Sequence, residues 1–227
     1  NEGLSIGAAV PCYQIYENQE VTTRFPGIID AASLIGGIQI QSRASIGGNL
    51  CNASPSADGI CPLIVHSGAA QIVGPLEGRA VPVEEFCTGP GNNILADNEF
   101  LVAIDVPEPP ANFGAAYERF IPRNEMDIAI AGVASAITLD ASRTRIVSGR
   151  IALAAVGPTP ILAKQASDSL AGRTATEEDF AEISEIASTE ASPIEDMRGT
   201  PAQRVELIKV LTRRTLAIAL QRARKNG

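Results

Sequence analysis

The 227-residue chain sets 18 lysines and arginines against 26 aspartates and glutamates, a formal charge of −8, with 45% hydrophobic and 19% charged residues. That composition supports a sizeable core and excludes general disorder, while the acidic balance excludes a nucleic-acid or anionic-membrane surface built on clustered positive charge. No apolar run approaches the roughly 20 residues of a membrane span, and Asn1-Glu2-Gly3 has neither the basic start nor the apolar run of a secretory signal.

In chain order, residues 4–8 alternate as a short strand, and residues 21–34 carry apolar side chains at near-helical spacing, interrupted by Pro26-Gly27. Residues 45–58 then gather two adjacent glycines, two asparagines, three serines and one aspartate, with no lysine or arginine. This reads as a loop whose glycines let the backbone approach a ligand closely. Its N–H groups, with Ser and Asn beside them, would form an anion-binding concavity that needs no cation. A helix over 55–65, opened by a Ser-Pro pair, would add its dipole to that site. Short strands follow at 70–73 and 79–83, then an alternating strand at 100–106 that Pro107-Glu108-Pro109-Pro110 terminates. The proline cluster is the expected boundary between a domain at 1–110 and one at 111–227. Beyond it, 112–120, 128–139 and 145–156 read as three antiparallel strands with tight connections such as Asp140-Ala141-Ser142. The rest reads as helix: 160–170, a Thr176-capped segment, and 201–222 with Val205, Ile208, Leu211, Leu216 and Leu220 on one stripe. The basic cluster from Arg213-Arg214 to Arg222, Arg224 and Lys225 is expected to solvate that helix and complement its negative end.

The segment from Ala44 to Asp58 resembles the second FAD-binding motif in the flavoprotein (medium) subunit of molybdenum hydroxylases of the xanthine dehydrogenase and carbon monoxide dehydrogenase types. The resemblance continues through residues 98–107 and 117–129, and through Glu195-Asp196-Met197-Arg198-Gly199. Four motifs in order over almost the whole chain make it specific. It implies an α+β fold: the second subdomain of a PCMH-type (vanillyl-alcohol-oxidase-like) FAD-binding domain, then a C-terminal antiparallel three-stranded sheet with a helix bundle. Carried over by position, Ser45, Ile46, Gly47, Gly48 and Asn49 would line the FAD pyrophosphate. Asp58 would accept hydrogen bonds from a cofactor hydroxyl or amide, Leu101 would lie near the flavin, and Arg119 would contact the cofactor, with Arg123 as a competitor. The implied partners are a large subunit with the molybdenum cofactor, a small subunit with [2Fe-2S] clusters, and an external electron acceptor, in a cytoplasmic complex. Family members begin with a further subdomain carrying an Ala-Gly-Gly-Thr-type motif. Residues 1–227 show no such segment, so the stretch alone is expected to hold FAD weakly or not at all. That departure motivates the alternative of a non-flavin structural or assembly module.

Plainer readings stand beside these. Gly47-Gly48 also suits an ordinary turn, and Asp58 a helix cap. His66, the single histidine, is expected as a surface or capping group, and the four cysteines as reduced, mostly buried thiols. Arg119 and Arg123 would pair with Glu118 and Glu125, while Asp196 and Arg198 would fix the start of the last helix by local pairing. A stand-alone NAD enzyme is disfavoured, because Gly-Gly-Asn is not the G-x-G-x-x-G of a Rossmann turn.

Overall fold

The computed structural model describes residues 3–123 and 126–226. The first half runs β1 (Leu4–Gly7), α1 (Cys12–Tyr16), α2 (Gln19–Arg24), α3 (Pro26–Ala32), α4 (Ile46–Cys51), α5 (Ile60–Val65), β2 (Ala69–Val73), β3 (Gly78–Pro82), β4 (Cys87–Gly89), β5 (Asn92–Asn93) and β6 (Phe100–Val106). The second half runs β7 (Phe113–Phe120), β8 (Ala131–Leu139), β9 (Ile146–Ala154), β10 (Ile161–Leu162), α6 (Lys164–Asp168), α7 (Glu177–Thr189) and α8 (Pro201–Lys225).

The interruption at Pro26-Gly27 is a helix start. Asn18 caps α2 by accepting from the Glu20 and Val21 N–H groups, and Pro26 opens α3 where its missing N–H costs nothing. Two expectations for the glycine-rich segment are corrected. It is not a loop throughout: Ser45 Oγ accepts from the Gly48 N–H at 3.0 Å and starts α4 over the glycines themselves. The following helix begins only at Ile60, after turns over residues 54–59. Glycine is a poor helix former, so tertiary packing explains its place. A Cβ on Gly47 would lie 2.3 Å from the Ala8 carbonyl oxygen, and α4 therefore rests directly on the backbone that follows β1. Residues 160–170 likewise divide into β10 and α6.

In the first half β1, β6, β2 and β3 form an antiparallel sheet in that order. The second half has the three long antiparallel strands expected, and two-residue β10 adds an edge to give the order β10-β9-β8-β7. This second sheet is a shared layer. Ala115, Tyr117, Ala134, Ala136, Ala152 and Ala154 face the first-half core of Phe25, Ile28 and Leu63, and their small side chains let α3 and α5 come close. Val133, Ile137, Ile151 and Leu153 face the opposite way, under α6, α7 and α8. On that side a Cβ at Gly114 would lie 2.0 Å from the Ala219 carbonyl oxygen, so α8 sits against bare backbone.

Thr176 and Asp179 form a reciprocal capping box at the start of α7, and Thr200 caps α8 ahead of Pro201. The expected stripe of α8 is buried at Ile208, Leu211, Leu216 and Leu220, whereas Val205 is half-buried and its neighbour Arg204 takes the interior position. Asp196 does fix the approach to this helix: it accepts from the Arg198 N–H at 2.9 Å and from Arg204 Nη2 at 2.7 Å. Arg222, expected to be a solvated cation, instead grips Asp30 on α3 through both Nη atoms, at 2.6 and 2.9 Å.

Candidate cofactor site

A cleft of 310 Å³ opens where α4 and the turns after it meet the end of β7, lined by Asn49, Asn52, Ser54, Asp58, Arg119 and Ile128 among others. Several of these polar groups are held by hydrogen bonds. Asn49 Oδ1 accepts from the Gly59 N–H at 2.9 Å, and the Ser54 hydroxyl accepts from the Ser56 N–H at 3.3 Å. Asp58 is buried on the inner wall. Its Oδ1 accepts from the Tyr117 hydroxyl at 2.7 Å and its Oδ2 from Arg119 Nη1 at 2.5 Å. Burial pushes the Asp58 carboxyl above its ordinary range, and the Arg119 charge and the two hydrogen bonds pull against that. The Arg119 side chain is only 8% exposed, and its Nε has no partner. A buried, unpaired guanidinium N–H on a polar cleft fits a ligand with acceptor atoms. At Gly47 the space a Cβ would fill is taken by the Ala8 backbone, so that glycine serves the packing of α4.

Of the residues singled out from sequence, Asn49, Asp58 and Arg119 come together on this cleft. Ser45, Ile46, Gly47 and Gly48 form the start of α4 beside it, with Gly48 exposed and Ile46 and Gly47 buried. The open concavity expected of a loop is replaced by a capped helix start, tied to the segment after β1 by a bridge between Pro11 and Ser45. Leu101 is buried on β6 in the core beneath, outside the cleft lining. Arg119 does not pair with Glu118, because successive strand residues point to opposite faces; its partner is Asp58. Arg123 is exposed and pairs with Asp127 at 3.2 Å, while Glu125 lies outside the described residues.

Asn52 and Ser54 of the glycine-rich segment also line the cleft, whereas Tyr117 was missed as a site residue. Tyr117 had a readable signal, since it stands two residues before Arg119 and so shares its face of the strand. His66 is corrected as well: it ends α5, but it is 4% exposed, wedged between the Phe25 and Phe113 rings at 5.9 and 5.1 Å. Burial pulls it down to about 3. The four cysteines are free thiols, Cys12 and Cys61 buried and Cys51 and Cys87 half-buried; burial pushes Cys12 and Cys87 up to about 11. Among the described residues no cluster of His, Cys, Asp or Glu could hold a metal ion, and no helix is long and apolar enough to cross a membrane.

Comparison with known proteins bears on the family and the fold. Residues 1–109 match the family described as the FAD binding domain in molybdopterin dehydrogenase, and residues 115–219 match the CO dehydrogenase flavoprotein C-terminal domain. Over 221 residues the chain is 31% identical to the xanthine dehydrogenase FAD-binding subunit of Escherichia coli O157:H7, covering 97% of this chain and 75% of that protein. It is 29% identical to the carbon monoxide dehydrogenase medium chain of Afipia carboxidovorans, covering 96% of this chain and 75% of that one. In three dimensions it matches a chain of the cyanide-inactivated Cu,Mo-CO dehydrogenase with a TM-score of 0.92 at 27% identity, covering 98% of this chain and 77% of that chain. The chain belongs to the FAD-binding (medium) subunits of molybdenum hydroxylases of the xanthine dehydrogenase and carbon monoxide dehydrogenase type.

Proposed function

We propose that this chain holds FAD along α4 and in the cleft between α4 and β7. There it would pass electrons from the [2Fe-2S] clusters of a small subunit, fed by a molybdenum-cofactor large subunit, to an external acceptor. One observation carries the reading. Asn49 and Asp58 from one sequence motif and Arg119 from another converge on one polar cleft in a chain whose two halves both match flavoprotein families. Bound FAD would supply the redox chemistry, so the protein needs no nucleophile of its own.

The chain's residues would bind and orient. Ser45, Ile46, Gly47, Gly48 and Asn49 would meet the pyrophosphate at the start of α4. The Asp58 carboxylate would accept from an N–H or O–H of the cofactor, and Arg119 Nε would donate to one of its acceptors. Leu101 would support the flavin end by backing α4. Residues 1–110 would make the cofactor domain and residues 111–227 the C-terminal domain. The four free thiols suit a reducing, cytoplasmic compartment.

Acid extraction of the natively purified complex should release about one FAD per copy of this chain. An intact complex that yields no flavin overturns the reading and favours the assembly-module alternative.

A further inference from the structure

Tyr117 is only 4% exposed and is held at both ends. Its hydroxyl donates to Asp58 Oδ1 at 2.7 Å, and its main-chain N–H donates to Asp30 Oδ2 at 3.0 Å. Asp30 is itself gripped by Arg222 from the last turns of α8, and Arg222 also donates to the Ala115 carbonyl at 2.7 Å. The phenol has a built recess. Gly132, opposite Arg119 on β8, presents no side chain, and a Cβ there would come within 2.9 Å of the Tyr117 hydroxyl. A hydrogen-bonded path therefore runs from α8 through Asp30 and β7 to the carboxylate that the first half contributes to the cleft.

We propose that Tyr117 is a positioning residue for Asp58: it holds the carboxylate charged and fixes the orientation in which Asp58 retains Arg119 at the cofactor cleft. The proposal rests on the reading of that cleft as the FAD site. Asp58 has one oxygen committed to Tyr117 and the other to Arg119, which leaves the remaining lone pairs for a ligand. The charged or titratable groups around it are few. From β7 come Tyr117 and Arg119; from α5 comes the Cys61 thiol, which burial keeps neutral and which in turn neighbours Cys87. Asp127, also on the cleft, is held low by Arg123. The phenol stays a donor, since burial and the adjacent Asp58 charge hold its proton firmly. Without that donor, burial, already the largest influence, is opposed by Arg119 alone, so Asp58 takes a proton at a still higher pH and its charge holds Arg119 over a narrower range.

The test measures FAD affinity of the holo complex by flavin fluorescence from pH 5 to 9, for the wild type, Tyr117→Phe and Asp58→Asn. Tyr117→Phe is expected to move the acid midpoint of binding upward by about one pH unit, roughly a threefold loss of affinity halfway between the two midpoints and about tenfold below both. Asp58→Asn is expected to abolish that midpoint. A uniform loss at every pH, the mark of a merely structural tyrosine, overturns the proposal, as does an unchanged profile. Gly132→Ala, which keeps the phenol but crowds its hydroxyl, should shift the midpoint in the same direction and stands in if Tyr117→Phe does not fold. A flavin-independent arm separates this inference from the cofactor reading. The infrared band of the protonated Asp58 carboxyl, assigned by its loss in Asp58→Asn, should appear about one pH unit higher in Tyr117→Phe. An unmoved band sinks the role of Tyr117, whereas a wild-type complex without flavin sinks only the cofactor reading.

Discussion

At the scale of single residues, the two adjacent glycines are not equivalent. A Cβ on Gly47 would stand 2.3 Å from the Ala8 carbonyl oxygen and 2.6 Å from its Cα, contacts that backbone cannot relieve cheaply. A Cβ on Gly48 would meet only the Ser45 hydroxyl, at 3.1 Å, on an exposed face. Gly47→Ala should therefore cost at least about 2 kcal/mol of stability through overpacking. Gly48→Ala should stay within about 1 kcal/mol, because alanine's better helix propensity offsets the crowding. Urea melts of the two single variants check this, and equal losses would mean that α4 does not rest on the β1 turn as described.

At the scale of elements, the last turns of α8 secure the chain's two halves to each other. Arg222 reaches past β7 to make a bidentate pair with Asp30 on α3, and both side chains are less than a third exposed. Charge-assisted hydrogen bonds in such a setting contribute about 1.5–3 kcal/mol. A double-mutant cycle on Arg222→Ala and Asp30→Ala should return a coupling energy of about 1–3 kcal/mol, read from chemical denaturation; a value near zero would show the pair to be incidental. A second anchor works at the other end of α8. Buried Arg204 donates to the Ile130 and Ala155 carbonyls at 2.7 and 3.0 Å, joining the helix to the residue before β8 and the residue after β9. The register of β7 against β8 completes the device, since it sets Gly132 opposite Arg119 and leaves the Tyr117 hydroxyl room to reach Asp58.

At the scale of the whole molecule, the second sheet belongs to both cores, and His66 lies at the seam between Phe25 of the first half and Phe113 of the second. Burial lowers its folded-state value to about 3 from an ordinary 6.5. The sign follows from linkage. The folded state excludes a proton that the unfolded chain takes up below pH 6.5, so this stability is fully present above pH 6.5 and is lost as pH falls toward 3. Between pH 7 and pH 5 the wild type should lose about 2 kcal/mol from this group alone. His66→Leu should be flatter across that window. Denaturation curves at pH 7 and pH 5 decide it, and identical pH slopes for the two proteins would refute the assignment.

Much of the fold was legible because the local signals were strong. Alternation fixed the strand at 100–106, Thr176 marked the start of α7, and Pro201 marked the start of α8. The family membership rested on motif order, which survives in the sequence without coordinates. What local pattern could not convey was packing. Glycine propensity argued for a loop at 46–51, and only the close approach of Ala8 explains a helix there. Spacing suggested a bond between Arg119 and its neighbour Glu118, but the strand turned them to opposite faces and brought Asp58, 61 residues away, within 2.5 Å. The amino-acid order thus determined the elements through short-range periodicity and residue chemistry, and, through the resemblance of its ordered motifs, the family and three of the groups on the cleft. The partner of each buried charge, the burial of His66 and the tyrosine beside Asp58 were decided by tertiary structure alone, because desolvation and hydrogen-bond geometry exist only once distant segments meet.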